Sequence, residues 1–243
     1  MANVYTKSGA LAQRIYFGSV LIWEKLVENE FIIEVDTTEA GTSNNDQFQF
    51  TGAQGNYNVV AKQNYVVVAT FNDLVNEETI TLPSSGVYVL EVTAKEVNGF
   101  NRIIFNNGGD KNKLTDIKQW GGLAWSSFSS SFYGCYNMLI TATDVPKLSN
   151  VTNMDRIFTN ATSANPDTSN WDVSSVTNMA QMFENSNLSV ENLTTIYENW
   201  SQLNLQQNVV FGAGTTKYTS DGQAGRDILI NTYNWTIADG GQV

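Results

Sequence analysis

The chain of 243 residues holds no histidine and a single cysteine, Cys135. That composition removes Ser-His-Asp triads, Cys-His pairs and every metal site that needs imidazole. A lone thiol builds neither a thiolate cluster nor an intrachain disulfide. Cys135 lies in Phe132-Tyr-Gly-Cys-Tyr136, where a small buried apolar residue is the expected role. Phosphate-binding loops are missing as well: Gly212-Ala-Gly214 lacks the third glycine and the helix that a dinucleotide fingerprint requires. Paired carboxylates are the remaining catalytic option, as in glycosidases. Glu28 with Glu30, and Glu77 with Glu78, are the candidates, and both pairs sit in charged, turn-like stretches that read as solvated surface. Asp144, Asp167 and Asp172 fall near turns, but without the alternating spacing of a calcium loop. Capping and turn roles suffice for them. The expectation is a non-enzymatic protein with no catalytic, cofactor-binding or metal-binding residues.

What the chain has instead is a repeat. Thr168-Ser-Asn-Trp-Asp-Val-Ser-Ser-Val-Thr-Asn-Met-Ala-Gln-Met-Phe183 overlies Lys147-Leu-Ser-Asn-Val-Thr-Asn-Met-Asp-Arg-Ile-Phe158 at an offset of 25 residues. Leu148 matches Val173, Val151 matches Val176, Met154 matches Met179, Ile157 matches Met182, and Phe158 matches Phe183. A worn third copy lies 26 residues earlier, with Trp125, Phe128 and Phe132 under Val151, Met154 and Phe158. Such a period has leucine-rich-repeat dimensions. Trp171 and Val173 alternate with polar residues, which predicts a short strand facing inward. Val176, Met179 and Phe183 recur at helical spacing, flanked by Met182, and Ser174, Ser175 and Thr177 can cap a helix start. Each unit therefore reads as strand, turn and short helix, too small to bury its apolar face except by stacking. These eleven apolar residues, including Trp171, are the expected repeat core; the binding surface is not identified by sequence.

Charge narrows the partners. The net charge of -11 comes with no basic stripe, so nucleic acid is not an expected partner. No apolar run is long enough for a membrane span, and no hydrophobic signal-peptide core follows Met1. The expectation is a chain made in the cytoplasm or already trimmed. Asn-x-Ser/Thr triplets at Asn150, Asn160, Asn192, Asn199 and Asn234 follow from an Asn/Thr-rich composition.

Three segments are expected. Residues 1–28 form an attachment piece, in which Ile15 and Phe17 are followed by Val20 to Trp23 across Gly18-Ser19, the chemistry of a hairpin. Residues 29–105 form a β-sandwich of immunoglobulin or PKD type, with strands at 31–35, 48–50, 57–61, 65–71, 78–82, 87–92 and 102–105. Turn-forming residues 106–113 make a hinge into residues 106–243, the repeat domain with its C-terminal cap. There Ser189 is the N-cap of a longer helix whose stripe is Leu193, Ile196, Tyr197 and Trp200. A strand at 209–211, a helix near 225–233 and a strand at 234–237 close the open end. The fold class is thus mixed α and β: hairpin, sandwich, then a short solenoid of strand–helix units.

Two resemblances sharpen this. Asn170-Trp-Asp-Val-Ser-Ser-Val-Thr-Asn-Met-Ala-Gln-Met-Phe183 resembles the repeat of BspA-like leucine-rich-repeat surface proteins. Phe105 to Gly121, Leu188 to Leu193 with Trp200, and Gly212 to Tyr218 with Arg226, Leu229, Ile230, Trp235 to Ile237 and Gly240 are similar to that family's flanking and cap segments. The Trp-Gly-Asp-Gly signature of the PKD-like domains often found upstream is missing here. Ile15 to Glu24 resembles a segment recurring in phage structural and tail proteins.

The resemblances imply a surface-binding role in bacteria, or a place in the virion of their phages, without catalysis. The leading expectation is a phage virion structural protein: a fibre, spike or decoration component. Its N-terminal segment would hold other virion proteins while its repeats face a host surface protein or glycan. A homo-oligomer, with a trimer as one form, is expected by analogy with fibres. The alternative is a bacterial cell-surface or secreted adhesin, and a glycan-acting enzyme is a third reading.

Overall fold

The computed structural model describes residues 4–7, 10–17, 20–26, 30–96 and 99–243. Strands β1 (Val4–Lys7), β2 (Ala10–Phe17) and β3 (Val20–Leu26) form an antiparallel sheet in the order β1-β2-β3. Phe17 pairs with Val20, so β2 and β3 make the expected hairpin; Gly18 and Ser19, as well as Glu28, lie outside the described residues.

The main sheet has six strands. They are β4 (Phe31–Asp36), β6 (Asn56–Gln63), β7 (Val66–Val75), β9 (Val87–Ala94), β10 (Leu114–Gln119) and β11 (Leu139–Ile140), in the order β11-β10-β4-β9-β6-β7. Alternation along β4, β6 and β9 puts Phe31, Ile33, Val35, Tyr57, Val59, Ala61, Tyr88, Leu90 and Val92 into one interior. A second pair, β5 (Gln47–Gln49) and β8 (Thr79–Thr81), adds Phe48 and Ile80. Residues 102–105 form no strand; Arg102 makes only an isolated bridge to Gln54. The sheet does not stop at the proposed hinge, because β10 pairs with β4 from beyond it and β11 pairs with β10. The interior continues in the same way, with Trp120 and Trp125 packed around Phe31 at ring distances of 6.2 and 5.1 Å.

The solenoid of strand–helix units is not what forms. The described residues are mostly sheet and turn, with two short α-helices, neither in a repeat, and the sheets are open. Residues 129–134, 155–160 and 180–185 are instead runs of turns. Their amide bonding explains why. Phe128, Ser130, Phe132 and Gly134 donate to the carbonyls of Asn153, Asp155, Ile157 and Thr159 in the next copy. Ser131, Tyr133 and Cys135 donate back three residues within their own copy. A helix sends every amide inward along its own axis; here alternate amides leave for the neighbour. Left-handed backbone at Ser130, Arg156 and Gln181, and again at Gly134, Asn160 and Asn185, breaks any helix in each copy. A tight turn also brings every third or fourth residue to one side, so the apolar spacing suits turn and helix alike. Trp171 and Val173 form no strand either: Trp171 N–H donates to Thr168, Val176 N–H to Val173, and the Asp172 carboxylate accepts from Ser174 N–H, curling the segment.

The chain closes with α1 (Val190–Trp200), β12 (Val210–Gly212), a 3-10 turn at Ser220–Gly222, α2 (Gln223–Asn231) and β13 (Thr236–Ala238), which pairs in parallel with β12. Ser189 caps α1, its hydroxyl accepting from Asn192 N–H, and Leu193, Ile196, Tyr197 and Trp200 are buried. Met179 and Phe211 bridge, so β12 continues the stack of turns.

Candidate functional site

Leu148, Val151, Met154, Ile157, Phe158, Trp171, Val173, Val176, Met179, Met182 and Phe183 are all buried, and of these only Trp171 borders the groove at the end of α1. The stack brings them together copy upon copy. Met154 N–H donates to Asn178, and Phe158 N–H to Met182. The rings of Phe132, Phe158 and Phe183 pile up at 5.9 and 5.7 Å with interplanar angles of 12° and 16°. Arg156 donates to Gln181, and Asn185 to Asn160, on the outside of the same turns.

Four of the candidate carboxylates, Asp144, Asp167, Asp172 and Glu77, are engaged in structure. Asp144 accepts from the N–H groups of Trp120 and Gly121, Asp167 from Ser169, and Asp172 from Ser174. Glu77 accepts from Gln49 and Gly52. Burial pushes the Cys135 thiol well above its usual range, against a weaker opposing pull from Lys111. No group of three or more His, Cys, Asp or Glu able to hold a metal occurs among the described residues.

The segment expected to be a hinge carries a buried ion pair. Asp110 and Lys113 are both fully buried, with Nζ 3.7 Å from the carboxylate. Asp110 accepts from the N–H groups of Thr42, Ser43 and Gln49 and from the Ser43 hydroxyl at 2.5 Å. Lys113 donates to the Ser43 hydroxyl and to the carbonyls of Ser43, Asn44 and Gln47, at 2.7 to 3.1 Å. Burial lowers the Lys113 pKa, and Asp110 works against that shift. Although Ser43, Lys113 and Asp110 superficially form a Ser-Lys pair, the ammonium is surrounded by carbonyls that need its protons. It is a fastening between residues 42–49 and 110–113, not a base.

Among the described residues, a depression with polar side chains around it lies where the Trp171 segment meets the end of α1. A groove of ≈ 370 Å³ is lined by Ser169, Asn170, Trp171, Asp172, Asn199, Gln202 and Leu203. Two contacts fix its walls: the Trp200 indole donates to the Thr168 carbonyl, and Gln206 to that of Ser174. The Trp171 ring is only 2% exposed and forms part of the floor, with its edge against Trp120 at 5.3 Å. The walls offer the amides of Asn170, Asn199 and Gln202 and the Asp172 carboxylate. Amides both donate and accept, so the groove suits a neutral, hydroxyl-rich ligand.

Sequence reasoning missed Asn170, Asn199 and Gln202 because they come from two distant segments. The local signal was an asparagine beside a core tryptophan in both Asn170-Trp171 and Asn199-Trp200. Of the tyrosines whose exposure was open, Tyr136 is 41% exposed while Tyr197 and Tyr218 are buried.

Residues 101–221 match the family model described as a Mycoplasma protein of unknown function, DUF285. The DUF285 match begins after β9 and takes in β10, β11, all three turn copies, α1 and β12. Both groove-forming segments lie inside it. No curated protein and no solved structure matches the chain.

Proposed function

We propose that this chain is a non-enzymatic virion structural protein of a phage, a fibre, spike or decoration component that turns its stacked-turn region outward to a host surface. The observation that carries the attachment role is the groove at Asn170, Asp172, Asn199 and Gln202, whose amides suit a neutral glycan. The virion assignment rests on the resemblance of Ile15 to Glu24 to phage structural proteins. In this reading β1 to β3 contact other virion proteins. Mass spectrometry of purified particles is the direct test: the chain is expected at many copies per particle, and its absence overturns the assignment. For attachment, the labelled full chain is expected to bind surface polysaccharide purified from the host. The Asn170→Ala/Asn199→Ala variant is expected to bind at least tenfold more weakly.

A second reading, a bacterial surface adhesin, is favoured by the DUF285 match, since that model is described from a bacterium. The BspA-like resemblance of the Asn170 to Phe183 repeat supports the same reading. Detection of the chain on bacterial cell surfaces and not in particles would select it.

A further inference from the structure

We propose that β7 is where two copies of this chain join, edge to edge and antiparallel, so that one sheet runs through both. The strand is the outermost of the six, paired on one side only, with β6. One row of its backbone N–H and C=O groups is therefore open. Its side chains are unlike those of its neighbours: β4, β6 and β9 each bury alternate residues, whereas no residue of β7 is buried. Val66 is 63% exposed, Val67 54% and Val75 48%, and Tyr65 beside them is fully exposed. Edge strands that stay monomeric are commonly protected by lysine or proline. Residues 66–75 hold neither, and their one charge is Asp73.

Charge decides what kind of partner fits. The ionisable pairs around β7 are Asp73 with Lys95 and Lys62 with Glu91, each joined as an ion pair. Beside residues 66–71 the ionisable pair is Lys62 with Glu91, while Glu77, Glu78 and Glu96 lie towards the Val75 end, in a chain whose net charge is -11. A basic partner finds nothing beside residues 66–71 to grip, and an anionic lipid surface is repelled by the rest of the molecule. A second copy meets this one where mutual repulsion is least. The pairing of β7 with β6 is regular at Ala69, Thr70 and Phe71 and shifts register on either side, which places the two-fold axis near Ala69. The two Asp73 side chains would then lie about 27 Å apart at about 3.4 Å per residue, well past the screening length of about 8 Å. About that axis Val68 faces Thr70 of the second copy and Val67 faces Phe71. This pairing requires nothing of the virion reading.

Sedimentation velocity and oxidative cross-linking on the full chain test it, with three variants. The wild type is expected to be a dimer. Val67→Lys, at an exposed position, is expected to keep the thermal midpoint and raise the dimer dissociation constant at least tenfold. Because Cys135 is buried, Val68→Cys/Thr70→Cys supplies accessible thiols that face one another across the axis, and mild oxidation is expected to yield a disulfide-linked dimer. Leu139→Cys, on the opposite edge strand, is expected to yield none. A wild type that stays monomeric at its highest soluble concentration overturns the proposal. So does an oligomer unchanged by Val67→Lys, or equal cross-linking from Leu139→Cys.

Discussion

At the scale of single residues, buried charge separates positions that composition makes look alike. Lys111 and Lys113 lie two apart in a run of turn-formers. Lys111 rests on the Tyr136 ring at 4.7 Å near the surface, while Lys113 is sealed against Asp110. Replacing Lys113 by methionine leaves an unpaired buried carboxylate and three carbonyls without their donor. The expected cost is about 3–5 kcal/mol, read from the urea midpoint. Lys111→Met is expected to cost under about 1 kcal/mol. Asp239 makes a second cluster, accepting from Tyr197 at 2.6 Å, from Arg226 at 2.7 Å and from Gly241 N–H. Burial alone would raise its carboxyl, but those donors outweigh it and hold the pKa below the usual range. A carboxyl depressed in the folded state contributes stability that is complete above its unfolded pKa of about 3.9 and is lost as pH falls from there through the lower folded pKa. The stability difference between wild type and Asp239→Asn is therefore expected to be full-sized above about pH 5 and to shrink towards pH 3. Chemical denaturation across that range checks it.

At the scale of elements, the turn copies depend on backbone that ordinary side chains disfavour. Gln181 holds φ of 52° within its copy, as Ser130 and Arg156 do in theirs. Gln181→Gly is expected to be neutral or to stabilise by up to about 1 kcal/mol, and the β-branched Gln181→Val to destabilise by more than about 1 kcal/mol. A helix at this position, as sequence spacing suggested, would give the opposite order, because glycine is the poorer helix former. Thermal melts of the two variants therefore distinguish turn from helix. At α1, loss of the Ser189 hydroxyl in Ser189→Ala is expected to cost about 1 kcal/mol.

At the scale of the molecule, β10 and β11 bind the stacked turns into the sheet of the preceding segment, and the Trp120 and Trp125 rings fill the junction. Residues 30–96 and 99–243 share one interior. Calorimetry is expected to show one transition for this body, coincident by tryptophan fluorescence and far-ultraviolet circular dichroism. Separate transitions for the segments before and after residue 106 would show that the shared sheet does not couple them.

The amino-acid sequence by itself determined the period, the residues that go inside, and the way Phe158 aligns with Phe183, because burial of large apolar side chains is written in residue type and spacing. It also determined the strands of β4, β6 and β9 through their alternation, and α1 through its cap and apolar stripe. Tertiary structure alone decided what the repeats became. Three-to-four-residue spacing fits a helix and a run of turns equally well, and the choice lay with amides bonding to the neighbouring copy, as Phe128 N–H does to Asn153 and Met154 N–H to Asn178. It decided too that residues 106–113 are a fastening, since Lys113 finds its acceptors some 70 residues earlier in the chain. The groove belongs to the same class, for Asn170 and Asn199 are brought together only when α1 folds back across the Trp171 segment.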